Sequence, residues 1–152
     1  MKKRKTPWQK VKAAVRKWMS AKIIPHMVFN SWRIFFYRRC GYRIGKHVFI
    51  GMRCYLDDVE PTMFTVEDEA VISYGCFFAC HGRKQPHMPI TIKKGAYLGM
   101  RSNVVSGKHG VTIGEYATVG ACSLVLTDIP AGATAVGVPC KVIEEAKDET
   151  DE

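Results

Sequence analysis

The 152-residue sequence has no acidic residue among its first 56 positions, although 15 of its 23 lysine and arginine residues lie there. All 14 aspartate and glutamate residues come from Asp57 onward, so the first third of the chain carries a charge of +15 and the rest −6. Such a polarity indicates that the front of the chain meets something anionic, such as lipid headgroups, a phosphorylated substrate or nucleic acid.

Long apolar runs are also missing. No stretch approaches the roughly 18 residues that a membrane-spanning helix needs. The basic start is not followed by the apolar segment and small-residue cleavage site of a signal peptide. We therefore expect a cytoplasmic protein, with a peripheral position on the inner face of the membrane left open as an alternative.

The sequence has few signs of a disulfide framework or a metal site. Its six cysteines form no Cys-x-x-Cys pair. Cys76, Cys80 and His81 are close in sequence, but the second pair of ligands that a zinc site needs is not evident. The sequence thus predicts reduced thiols and no bound metal.

The sequence does contain a repeat of six residues. Inward-facing candidates recur at that spacing in four sets of three, separated by short insertions, and a small residue follows most of them four positions later. The four sets are Ile44, Ile50 and Leu56; Val66, Ile72 and Phe78; Ile92, Leu98 and Val104; Ile113, Val119 and Val125. A period of six matches neither a helix nor an alternating strand, but it suits a coil with three sides. We therefore predict an all-β solenoid of about four coils, with neighbouring coils paired as parallel strands.

Residues 1–41 are predicted to form a basic, amphipathic helical extension. Apolar residues at helical spacing indicate one helix broken by Pro25 and a second from about residue 26 to residue 39. The second helix is expected to cap the open end of the solenoid. For residues 2–22, capping and attachment to an anionic membrane surface both remain open. No nucleic-acid-binding motif accompanies the charge, so no nucleic-acid partner is expected.

From about residue 42 to residue 143 the sequence resembles the hexapeptide-repeat, or isoleucine patch, acyltransferases. The most specific match is the Thr-Asp-Ile-Pro of residues 127–130 followed by the Gly-Val-Pro-Cys-Lys-Val-Ile of residues 137–143. The resemblance implies a left-handed parallel β-helix, a homotrimer, and acetyl-CoA bound between neighbouring helices as the acyl donor. Residues 144–152 are acidic and are expected to be a solvated tail.

A polar insertion between the second and third sets is the expected catalytic loop. His81 stands where the polysaccharide O-acetyltransferase members of the family carry a histidine, which implies that His81 is the general base. Asp57 and Asp58 resemble an acidic pair that precedes this loop in those relatives. From the coil register, Asp58 is expected beside His81, where it would fix the imidazole tautomer. The residues expected to contact the acceptor are Asp57, Arg83 and His87.

The same resemblance implies a CoA groove along the third and fourth coils. The backbone N–H of Met100 would face the thioester oxygen and stabilise the negative charge that develops there. Lys141 would contact a phosphate of CoA. The other residues implied as CoA contacts are Tyr97, Gly99, Gly120 and Ala121.

These features predict an acetyl-CoA-dependent O-acetyltransferase that acts on a sugar hydroxyl by direct attack on the thioester. The basic, aromatic front favours a role in cell-surface or lipid-linked polysaccharide biosynthesis. Transfer to the amine of an amino sugar, transfer to a small diffusible sugar, and a non-catalytic trimeric scaffold are the alternatives. A scaffold would need neither His81 nor the block at residues 137–141, which argues against it.

Overall fold

The front of the chain is helical in the computed structural model, which describes residues 6–81 and 86–143. Helix α1 spans Pro7–Trp18, and a capping box between Thr6 and Gln9 begins it. The chain then makes a π turn, Met19–Ile23, and a 3₁₀ turn, Ile24–His26, so the first helical segment ends around Pro25, as predicted.

Helix α2 spans Asn30–Arg39 and begins four residues later than predicted. Residues Met27 and Phe29 have extended backbone angles, which keep the preceding segment out of the helix. The helix stops at Gly41, whose φ of 101° is readily adopted only by glycine.

Thirteen short strands follow in the described residues. In chain order they are β1 Arg43–Ile44, β2 Phe49–Ile50, β3 Phe64–Val66, β4 Val71–Ile72, β5 Phe77–Ala79, β6 Ile90–Ile92, β7 Tyr97–Leu98, β8 Asn103–Val105, β9 Val111–Ile113, β10 Thr118–Val119, β11 Leu124–Val125, β12 Thr134–Val136 and β13 Lys141–Ile143. A 3₁₀ turn, Pro61–Met63, lies in the insertion before β3.

The strands form the three faces of a solenoid. Sheet A has the order β1-β3-β6-β9, sheet B has β2-β4-β7-β10-β12-β13, and sheet C has β5-β8-β11. All pairings are parallel except β12 with β13, which closes the solenoid as a hairpin. Tyr55 bridges to Phe77, so the first coil also reaches sheet C. The predicted solenoid of about four coils is therefore confirmed.

The core is the column of residues that the six-residue repeat places inside. All twelve predicted inward positions are buried, and the most exposed of them, Ile44, retains 9% of its surface. Equivalent residues stack directly, as in the series Ile50, Ile72, Leu98 and Val119 on sheet B. Stacking of this kind removes a continuous strip of apolar surface from water, which stabilises each coil through its neighbours.

Helix α2 covers the open end of the first coil. The side chain of Asn30 bonds to both the carbonyl of Val48 and the N–H of Ile50, and Arg33 donates to the carbonyl of Ile50 at 2.9 Å. Arg38 donates to the carbonyl of Ile44 at 3.0 Å. These side chains satisfy edge groups of β1 and β2 that would otherwise lack partners, and so they cap the solenoid.

Helix α1 packs differently, because none of its residues is buried. Its large apolar side chains, among them Trp8 and Trp18, remain exposed. No helix in the described part of the chain has the length and apolar character required to cross a membrane.

Candidate active site

His81 and Asp57 form a hydrogen-bonded pair at one corner of the solenoid. Asp57 follows the first-coil residue Leu56, and His81 lies two residues beyond the end of β5. The imidazole Nδ1 is 2.6 Å from the carboxylate Oδ2 of Asp57. Beside a carboxylate, Nδ1 of a neutral imidazole carries the proton, which leaves Nε2 as a proton acceptor. The His81 side chain is 41% exposed, whereas that of Asp57 is fully buried.

Backbone donors hold the Asp57 carboxylate in place. The N–H of Cys80 donates to Oδ2 at 2.7 Å, and the N–H of Val59 donates to Oδ1 at 2.9 Å. These two bonds limit the rotation of the carboxylate. Asp57 is therefore suited to orient an imidazole and to stabilise it when it becomes positively charged.

The prediction that Asp58 lies beside His81 is wrong, because Asp57 takes that place. The chain bends at Asp58 and Val59, and the two carboxylates have different partners, so only that of Asp57 reaches His81. Asp58 instead accepts a hydrogen bond from Tyr55 Oη at 3.0 Å and lies 3.6 Å from Lys17 Nζ. The prediction that Asp57 contacts the acceptor is wrong as well, since its buried carboxylate is closed to a ligand.

Two of the remaining loop residues can be located. His87 is exposed, and its ring centroid lies 5.4 Å from that of His81, so the two imidazoles are neighbours. Burial, together with the charge of Asp57, raises the pKa of the Cys80 thiol to about 12. A thiol that stays protonated is a poor nucleophile, so Cys80 is not suited to carry an acyl group. Arg83 lies outside the described residues.

The predicted CoA residues lie along another corner, between sheets B and C. Met100 stacks between Tyr74 below and Ala121 above: the N–H of Arg101 bonds to the Tyr74 carbonyl and that of Cys122 to the Met100 carbonyl, each at 2.9 Å. A groove of about 390 Å³ lies here. Its lining residues are Tyr74, Met100, Arg101, Ala121 and Cys122.

Glycines let the coils approach closely at this corner. A Cβ added at Gly99 would lie 2.5 Å from the backbone nitrogen of Ala121, and one at Gly120 would lie 2.6 Å from the Val136 side chain. The N–H groups of Met100 and Ala121 donate to no group in the described part of the chain. They are available to a carbonyl oxygen in the groove, which is the chemistry of an oxyanion hole.

Tyr97 and Lys141 lie at the margins of the same corner. Tyr97 is exposed on sheet B, with its hydroxyl 3.3 Å from Ser73 Oγ, one coil below. Lys141 pairs with Val136 in the closing hairpin, and Val136 stands above Gly120 in the coil register. The predicted CoA residues therefore lie above one another along one corner of the solenoid, and the exposed Lys141 lies at the top.

Sequence reasoning missed Arg101 and Cys122 as lining residues of this groove. Each adopts a left-handed conformation, with φ of 57° and 58°, three positions after an inward residue of the repeat. The six-residue repeat could have located these corner positions, because His47, Arg53 and Tyr116 also lie three positions after an inward residue and have a similar φ. Side chains at this offset project from the corners.

Known proteins that are similar to this chain in sequence or structure include acetyltransferases. No family model matches the chain. Putative acetyltransferase SAR2635 of Staphylococcus aureus is 35% identical over 112 residues, which are 70% of this chain and 56% of that protein. Galactoside O-acetyltransferase of Escherichia coli is 34% identical over 118 residues, which are 68% of this chain and 57% of that protein. The hexapeptide-repeat containing acetyltransferase of Vibrio cholerae superposes with a TM-score of 0.69 at 22% identity, covering 91% of this chain and 90% of that one.

The chain belongs to the hexapeptide-repeat acyltransferase family. Its solenoid is accordingly the left-handed parallel β-helix of that family. The Vibrio cholerae protein has also been solved in complex with acetyl-CoA, and this chain superposes on that structure with a TM-score of 0.67 at 23% identity. This hexapeptide-repeat chain spans about half the length of the curated relatives it matches.

The two halves of the candidate site are far apart within one hexapeptide-repeat chain. Met100 stands directly above Tyr74 in the coil register. Residues 75–80 then run along sheet C before His81 is reached, which at ~3.3 Å per residue is roughly 15–20 Å. A single chain therefore does not bring the imidazole of His81 to the free N–H of Met100.

Proposed function

We propose that the protein transfers an acetyl group from acetyl-CoA to a hydroxyl of a sugar. The observation that carries the proposal is the His81–Asp57 pair, in which a buried carboxylate holds Nδ1 of an imidazole that is itself 41% exposed. His81 Nε2 removes the proton from the acceptor hydroxyl as the hydroxyl oxygen attacks the thioester carbonyl. The Met100 N–H stabilises the oxyanion, and the imidazolium of His81 returns its proton to the departing thiolate of CoA.

Asp57 acts on this reaction through His81. Its carboxylate keeps Nδ1 protonated in the resting state and balances the positive charge that the imidazole acquires when it takes the acceptor proton. Cys80 remains a protonated thiol beside the pair. Direct attack of the acceptor on acetyl-CoA is therefore favoured over transfer through an acyl-cysteine.

The acceptor is assigned as a sugar on the strength of the likeness to galactoside O-acetyltransferase. The basic front of the chain further favours a saccharide that is linked to a lipid or destined for the cell surface, because such an acceptor is held at an anionic membrane. The protein would then work in the cytoplasm, on the inner face of the membrane. His87, beside His81, is the described residue best placed to contact this acceptor.

The proposed active site forms between two chains of a homotrimer. His81 and Met100 are roughly 15–20 Å apart along one chain. In a cyclic assembly the His81 corner of one chain packs against the groove of the next chain. Every copy then makes the same contact with its neighbour. Lys141, at the top of the groove column, is proposed to bind a phosphate of CoA.

The donor assignment is tested without knowledge of the acceptor. We expect purified protein to bind acetyl-CoA saturably, with about one site per chain in calorimetry, and to release free thiol when a galactoside is added. Lys141→Met should weaken binding about tenfold, because it removes one charge-assisted contact to phosphate. Lys46→Met is the matched control, since Lys46 is exposed in a turn of the first coil and does not line the groove. A folded protein that shows no binding up to millimolar acetyl-CoA would exclude this donor.

Residues 2–22 are proposed to attach the protein to anionic membranes. In the described part of this segment, α1 exposes Trp8 and Trp18 and buries none of its residues. Basic residues accompany them without any acidic one. An amphipathic helix of this composition binds at the interface of a bilayer through apolar burial and charge attraction.

Deletion of residues 2–22 is expected to abolish cosedimentation with vesicles that contain anionic lipid. Added salt should weaken the binding of the full chain, because screening shortens the range of the attraction. Vesicles of purely zwitterionic lipid serve as the control and should bind weakly. Unchanged cosedimentation after the deletion would rule out this segment as the attachment.

A further inference from the structure

Helices α1 and α2 line an apolar groove of about 590 Å³. Its walls include Trp8, Val11 and Val15 of α1 and Phe36 of α2. The three α1 residues are 65%, 52% and 51% exposed. Apolar side chains gathered in one concave surface, rather than scattered singly, indicate a binding site.

Three cations line the same groove: Lys12, Arg16 and Arg39. None of them forms an ion pair with an acidic side chain in the described part of the chain. The Nε of Arg16 is buried and has no hydrogen-bond partner there. Lys12 Nζ lies 5.4 Å from the centroid of the Trp8 ring, which keeps this charge at the apolar wall.

A buried guanidinium nitrogen without an acceptor is costly, because folding removes it from water and supplies nothing in exchange. The Arg16 side chain as a whole is half-buried, so an anion in the groove can meet the rest of the guanidinium and stabilise its charge. A free phosphate ion, however, would leave the apolar walls exposed. The combination of unpaired cations and an apolar trough matches a ligand with a phosphate head and a hydrocarbon chain.

We propose that the α1–α2 groove binds a single anionic lipid, with the phosphate at Arg16, Arg39 and Lys12 and the hydrocarbon chain along Trp8, Val11 and Val15. This site differs from general adsorption to a membrane, because it is saturable and depends on particular residues. It does not require acetyl transfer, so it can be tested whether or not the proposed reaction is correct.

The position of the groove adds a consequence for the proposed reaction. Lys17, next to Arg16, lies 3.6 Å from Asp58, the neighbour of Asp57. Helix α1 therefore lies against the coil that carries the catalytic carboxylate. If the acceptor saccharide is carried by a lipid phosphate, the groove holds the lipid end near the coil at which the saccharide reacts.

The test uses the full chain and dihexanoyl phosphatidic acid, kept below its critical micelle concentration. We expect saturable binding of about one lipid per chain in calorimetry, and at least ~10-fold weaker binding of dihexanoyl phosphatidylcholine, which carries no net charge. Arg16→Met and Arg39→Met should each weaken the binding of phosphatidic acid about tenfold. Val15→Asn should weaken it through the apolar wall.

Lys10→Met is the matched control, because it removes the same charge from α1 at a position outside the groove. It should change the affinity less than ~2-fold. An equal loss in Lys10→Met and Arg16→Met would mean diffuse attraction and would overturn the site. Inorganic phosphate that binds as well as the lipid would overturn the role of the hydrocarbon chain, and the absence of saturable binding would overturn the proposal as a whole. Circular dichroism of each variant separates lost binding from lost folding.

Discussion

Replacement of His81 by alanine is expected to lower kcat about 10²–10⁴-fold, the range that a lost general base typically costs. Without the imidazole, the acceptor hydroxyl must lose its proton to water while it attacks the thioester. Binding of acetyl-CoA should persist, because His81 is not among the residues that line the groove at Met100 and Ala121. The measurement is thiol release on acceptor addition, with calorimetry on the same variant to show that the donor still binds.

The adjacent carboxylates provide a control for this experiment. Asp57→Asn and Asp58→Asn make the same chemical change at neighbouring positions, but only Asp57 bonds to His81. Asp57→Asn should reduce kcat on the order of 10²-fold by disturbing the tautomer and the stabilisation of the imidazolium. Asp58→Asn should stay within ~3-fold of the parent, since its partners are Tyr55 and Lys17. Equal losses in the two variants, or a nearly active His81→Ala, would contradict the assignment.

The sequence was sufficient to predict the solenoid, because each inward residue reports on the same geometry. Twelve positions at a spacing of six are a redundant signal, and all of them are buried. Single features carry no such redundancy. Helix α2 starts at Asn30 because a few residues before it are extended. The spacing of apolar residues does not show where such a segment ends and the helix begins.

The error at Asp57 and Asp58 has a related cause. Coil register places both residues one coil below His81, but it does not say which of the two side chains faces the histidine. That choice depends on the bend at Asp58 and Val59 and on the two backbone donors, Cys80 and Val59, that bond to the Asp57 carboxylate. The contacts of Asp57 with Cys80 and His81 join residues 23 and 24 positions apart, so they follow from the folded coil rather than from local sequence.

Two inactive variants are expected to restore activity to each other if the site forms between chains. His81→Ala leaves the groove intact, and Ala121→Trp fills the groove but leaves His81 intact. When the two chains assemble at random in one trimer, about a quarter of the sites combine an intact groove with an intact histidine. Co-expressed variants should therefore recover roughly a quarter of the parent turnover, while each variant alone stays near the background.

The same mixture tests the proposed site between chains against a site built within one chain. A site built within one chain would keep one defect in every copy, so mixing would restore nothing. Ala131→Trp, which places the same ring at an exposed corner outside the groove, should remain active alone and controls for the bulk of the new side chain. Light scattering on each variant must give the mass of the parent assembly, because a monomer cannot exchange sites. Recovery in the mixture together with intact assembly would require His81 of one chain to act on a donor bound by the next, which is the arrangement that we propose.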